Sequence, residues 1–118
     1  MTNGKKYIMQ SLESLKAKKE SIRCCYKISE TDVDCLFTLL DLKEPKSSSE
    51  LAEVMKLSKT TVENSMKKLM ELGLVRRIKI EEKKIGRPKF VYSLVEDFFP
   101  RIRADLKDCA EKILSATS

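Results

Sequence analysis

The sequence predicts a mainly α-helical domain with one small β-hairpin, bracketed by a helix at each end. Three observations lead there. Apolar residues recur at three- and four-residue steps in five segments, and a capping Ser or Asp heads four of them. One stretch between 74 and 94 instead carries β-branched and aromatic residues around a Gly-Pro turn. The 118 residues suit one domain with appended helices, and a 42% hydrophobic share is enough to build a core.

Residues 5–25 place Ile8, Leu12, Leu15 and Ile22 at steps of four, three and seven, with Lys19 at the skipped position. This narrow amphipathic stripe suits a seam with one partner helix. Ser29 heads a helix expected at 30–42. Asp32 makes a weaker capping box with it, and Val33, Leu36, Phe37, Leu39 and Leu40 form a thick apolar face. Lys43-Glu44-Pro45-Lys46 ends that helix. Ser47 and Glu50 form a full capping box for a short helix at 48–56, which carries Leu51, Ala52, Val54 and Met55. After the turn Lys56-Leu57-Ser58, a helix over 58–72 turns Val62, Met66 and Leu69 inward and stops at Gly73. Two helices joined so tightly, with the small Ala52 at their crossing, form a helix-turn-helix.

Strands are expected at 74–81 and 89–94, the second with Phe90, Tyr92 and Leu94 on one face. A hairpin directly after a helix-turn-helix is a wing. The fold class is therefore a winged helix-turn-helix at 29–94, preceded by an N-terminal amphipathic helix within 1–28 and followed by a C-terminal helix within 95–118. Asp97 caps that last helix, with Pro100 in its first turn. Phe99, Ile102, Leu106, Cys109 and Ile113 then repeat the narrow stripe at steps of three and four. A chain this short has few internal surfaces left for two such stripes. Both terminal helices are expected to dimerise, through Ile8, Leu12, Leu15 and Ile22 at one end and the C-terminal stripe at the other.

Charge is unevenly spread. Residues 29–55 hold two basic and seven acidic groups, while residues 56–89 hold eleven basic and four acidic. A basic block on the helix-turn-helix and wing marks a surface facing a polyanion, and it argues against a winged helix used for protein contacts. The chain has no histidine, which removes the commonest general acid–base and metal ligand. No nucleophile–base pair, phosphate loop or carboxylate cluster replaces it, so an enzyme is not expected, nor is any cofactor. No apolar run is long enough to span a membrane and no secretory signal opens the chain, which makes a cytoplasmic, nucleoid-associated protein the expectation. One Gln and two Asn amid abundant Lys and Glu give a thermophile-like composition, with lineage bias as the plainer source.

The runs Ser47-Ser48-Ser49-Glu50-Leu51-Ala52, Leu57-Ser58-Lys59-Thr60-Thr61-Val62 and Leu69-Met70-Glu71-Leu72-Gly73-Leu74-Val75 resemble archaeal winged-helix transcription regulators of the MarR and TrmB-like type. The wing sequence Gly86-Arg87-Pro88-Lys89-Phe90-Val91-Tyr92-Ser93-Leu94 is similar to the same group. The resemblance implies a homodimer that reads a roughly palindromic double-stranded DNA site through the helix at 58–72. It leaves any small-molecule effector open, since the sugar-binding domain of TrmB proteins and the longer arms of MarR proteins have no counterpart in the sequence.

On that helix the outward candidates are Ser58, Lys59, Thr60, Thr61, Glu63, Asn64, Lys67 and Lys68. Asn64 suits a two-point bond to adenine. The threonines suit base edges or a thymine methyl, and Glu63 suits a cytosine amino group or repulsion of misplaced phosphates. Lys59, Lys67 and Lys68 suit phosphates, which position without specifying. On the wing the candidates are Arg77, Lys83, Lys84, Gly86, Arg87 and Lys89. Arg87 between Gly86 and Pro88 resembles an AT-hook core and is expected in a narrow, A·T-rich minor groove; a solvated Arg on a Gly-Pro turn is the plainer alternative. An abundant chromatin protein with little sequence preference is the alternative function, because the Lys density serves either role.

Cys24, Cys25, Cys35 and Cys109 lack zinc-site spacing, so no metal is expected. Cys35 and Cys109 fall in apolar stripes. Cys24 or Cys25 can face Cys109 or a dimer mate, which leaves three readings open: idle thiols, a redox sensor, or a static bridge.

Overall fold

The computed structural model describes residues 17–81 and 88–117. Helices α1 (Lys19–Tyr26), α2 (Glu30–Leu42), α3 (Ser48–Met55) and α4 (Lys59–Glu71) are followed by strands β1 (Val75–Glu81) and β2 (Pro88–Leu94) and the long helix α5 (Phe98–Thr117). This is a mainly α winged helix with a β wing. The sequence places Ile8, Leu12, Leu15, Lys83, Lys84, Gly86 and Arg87 outside the described residues.

Local chemistry sets the helix ends. The Ser29 hydroxyl accepts from the Asp32 N–H at 3.1 Å, and the Asp32 carboxylate accepts from the Ser29 N–H at 3.1 Å. Ser47 and Glu50 repeat that reciprocal box at α3. Three helices stop on a lysine in the left-handed region: Lys27, Lys43 and Lys56. Gly73 takes φ +77° after α4, and a Cβ there would meet the Arg101 guanidinium at 3.0 Å.

The core gathers on α2, whose Val33, Cys35 and Leu36 have no exposed surface. Leu51 of α3, then Val62, Met66 and Leu69 of α4, pack into the same cluster. Leu74 and Val75 carry it to the hairpin, and Phe98 and Ile102 carry it to α5. The strands pair antiparallel, Val75 opposite Leu94 and Arg77 opposite Tyr92. The segment expected only to break α2 also pairs. The Lys46 N–H donates to the Tyr92 carbonyl at 3.0 Å and the Tyr92 N–H to the Lys46 carbonyl at 2.7 Å, tying the start of α3 to the hairpin.

Several placements differ from the sequence expectations. Ile22 and Ile102, assigned to a subunit seam, are 0% and 1% exposed within the chain's own core, so neither has surface left for a second subunit. Phe99 and Leu106 pack partly against that core, whereas Ile113 is 57% exposed. Cys109 is bonded to Cys25 of the same chain, with Cα atoms 6.0 Å apart, which makes the static bridge the observed state. Cys24 is exposed and Cys35 is a buried thiol. Val54 points to solvent, because α3 buries only Ser48, Leu51 and Ala52. Phe90 is exposed while Val91, on the opposite strand face, is buried.

Candidate nucleic-acid interface

The turn between α3 and α4 is three residues long. Lys56 closes α3 with its N–H on the Ala52 carbonyl, and the Leu57 N–H bonds the same oxygen at 3.0 Å. Ser58 then opens α4. Its hydroxyl accepts from the Thr61 N–H at 3.1 Å and donates to the Thr61 hydroxyl at 2.8 Å. Ser58 and Thr61 are therefore engaged in capping. The Ser47 N–H and hydroxyl hold the Glu50 carboxyl below the usual carboxylate range, so the cap of α3 is charged at neutral pH.

One side of α4 is fixed to the core. Val62, Ser65, Met66 and Leu69 are buried, and the Ser65 hydroxyl donates to the Asp32 carboxylate of α2 at 2.6 Å. The other side is exposed and carries Lys59, Thr60, Glu63, Asn64, Lys67 and Lys68. This is the face expected from the apolar step, since four buried positions on one stripe leave a wide polar arc. On that arc Glu63 is tied to a neighbouring helix, its carboxylate accepting from the Ser48 hydroxyl of α3 at 3.2 Å.

The hairpin adds a second basic surface. Arg76, Arg77, Lys79 and Lys89 are exposed. The Arg77 guanidinium lies 4.5 Å from the centre of the Phe90 ring, a stacking that holds the charge in place and leaves its N–H edge available. Strand alternation sets Lys79 on the same face as Arg77. Sequence reasoning passed over Arg76, Lys79 and Ser48. The two basic residues were visible in the charge block, but Ser48 has no signal without the helix crossing. Among the described residues, no group of three Cys, Asp or Glu side chains is gathered as a metal site.

A short tight turn, a capped helix with one buried stripe and a basic two-stranded wing define a winged-helix transcription regulator. Residues 22–96 match TrmB, the family of sugar-specific transcriptional regulators, and the chain belongs to that family. It is 47% identical to the ST1889 protein of the thermoacidophilic archaeon Sulfolobus tokodaii, whose crystal structure superposes with a TM-score of 0.78 over 88% of this chain and 98% of that one. It is 33% identical over 92 residues to protein MJ1082 of Methanocaldococcus jannaschii, covering 78% of this chain and 73% of the relative. A MarR family protein from Bacillus stearothermophilus shares the fold, with a TM-score of 0.51 and 18% identity over 95% of this chain and 75% of its own. The family is one of transcription regulators, not of enzymes. No described helix is long and apolar enough to cross a membrane.

Proposed function

We propose that the protein is a homodimer that binds double-stranded DNA sequence-specifically, with α4 in the major groove and the wing at 82–89 against the minor groove. The observation that carries this is the exposed arc of α4. Lys59, Lys67 and Lys68 flank Thr60, Glu63 and Asn64 on a helix whose other side is pinned to the core by Ser65. Phosphate-seeking lysines around short polar side chains are what a base-reading helix needs. Ile113 and Leu114, both exposed near the end of α5, support a contact with a second copy there. A cytoplasmic, nucleoid-associated location follows from this reading.

The test is the ratio of affinities for a selected operator and for random duplex DNA at physiological salt. A ratio of about 1,000 or more supports the proposal. A ratio near one supports a chromatin protein instead. Sedimentation of Ile113→Lys tests the dimer: a shift toward monomer is expected, and an unchanged dimer mass would move the contact elsewhere.

A further inference from the structure

Ser48 is the first residue of α3, directly after the Ser47 cap, and is 6% exposed. Its neighbours in the capping box leave its own side chain unused, and the hydroxyl turns across the helix-turn-helix to the Glu63 carboxylate. Glu63 is itself exposed. Lys59 and Lys67 stand one turn before and one turn after it, yet no ion pair joins it to either. A carboxylate in the middle of a basic, DNA-facing arc works against binding unless it meets a donor. The major groove offers donors at two places only, the N4 amino group of cytosine and the N6 amino group of adenine.

Resting on the DNA-binding reading above, we propose that Ser48 is a positioning residue for base selection. It holds Glu63 by one carboxylate oxygen, so that the other accepts from an exocyclic amino group, with cytosine preferred. Glutamate has many rotamers, and ordering it on binding opposes association. A bond already made in the free protein removes part of that cost and sets the direction of the remaining oxygen. The coupling runs both ways. If Glu63 swung out to pair with a lysine, the Ser48 hydroxyl would lose its partner in a site with little water. Adjacent Asn64 offers a donor as well as an acceptor and suits adenine, so the two residues impose different demands on neighbouring base pairs.

The experiment is selection of bound sites from randomised duplexes by the full chain at fixed salt, with the melting temperature of each variant measured alongside. The wild type should enrich one cytosine per half-site, preferred roughly fivefold to tenfold over other bases. E63Q should lose that preference or exchange it for adenine, because its amide supplies both a donor and an acceptor. S48A should weaken the cytosine preference while leaving the Asn64-dependent position and random-DNA affinity unchanged, and S48T, which restores a hydroxyl, should recover it. A merely structural Ser48 would move the melting temperature and all positions together. An S48A preference identical to wild type overturns the positioning role. An E63Q protein that still selects cytosine overturns the role of Glu63. A wild type that selects no base at any position overturns the sequence-specific reading itself, and is told apart from the other two by needing no variant to be seen.

Discussion

The winged-helix unit and the clasp between α1 and α5 are held by different interactions. In the unit, α2 buries Val33, Cys35, Leu36, Phe37, Leu39 and Leu40, and the helices around it close over them. Its polar contacts include local caps, the Ser65–Asp32 and Ser48–Glu63 bonds between helices, and the pairing of Lys46 with Tyr92. The later part of α5 lies beside α1, tied to it by the Cys25–Cys109 bridge and by the Tyr26 hydroxyl donating to Asp105 at 2.6 Å. A cavity of about 650 Å³ opens beside them, lined by Tyr26, Lys27, Asp108 and Ile113 among others. Enclosed apolar volume makes the first region sensitive to side-chain size. Single bonds make the second sensitive to reductant and to alkaline pH.

The largest effect should come from the core. Leu36→Ala removes a fully buried side chain and should cost about 3–5 kcal/mol in urea unfolding. A loss below about 1 kcal/mol would mean that the surroundings collapse easily, and the contrast with the clasp would weaken. Cys109→Ser should cost about 2–4 kcal/mol, since the bridge closes a long loop between residues 84 apart. A dithiol reductant should lower the melting temperature of the wild type and leave that variant unmoved. Equal shifts in both would show that the bridge contributes nothing.

On the exposed arc of α4 the effects should leave stability alone. Asn64→Ala should lose about 1–3 kcal/mol on the selected site and far less on random DNA. Lys68→Ala should weaken both alike and flatten the salt dependence. Unfolding free energies of the two should stay within about 0.5 kcal/mol of wild type. An equal loss on both DNAs for Asn64→Ala would assign that residue to the backbone.

The smallest effect separates the clasp from the core by pH. Burial, then the bond to Asp105, push the Tyr26 phenol above its ordinary value of 10.0. A raised folded pKa means that the protonated phenol stabilises the fold below pH 10 and that this contribution declines as pH rises above it. Tyr26→Phe should cost about 1 kcal/mol at neutral pH and should flatten the alkaline decline. A decline of the same steepness in both proteins would place its origin elsewhere.

Much of the fold was legible because its signals are short-range. The two capping boxes, the stop at Gly73 and the inward stripe of Val62, Met66 and Leu69 each involve residues within a few positions of one another, and they appear where the spacing put them. The exposed arc of α4 was legible for the same reason, as the complement of that stripe. The hairpin was legible in outline but not in how far along it the core reaches. Phe90 and Tyr92 share a face, yet Phe90 is exposed while Tyr92, bridged to Lys46, is buried, and alternation alone does not say where along a face the cover ends.

From the sequence alone came the order of elements, their ends and the residues that α4 turns outward, because caps and helical periodicity act within one or two turns of chain. Tertiary structure alone decided what covers each stripe. Ile22 and Ile102 carry a pattern that fits a subunit seam, and they went instead to the chain's own core, because α5 returns beside α1 after the hairpin. The partner of Cys25 lies 84 residues away, and Ser48 meets Glu63 across a helix crossing. Periodicity states that a face will be buried and a cysteine or hydroxyl will seek a partner. The path of the whole chain chooses which partner, since contacts between distant residues form only after the loops between them have closed.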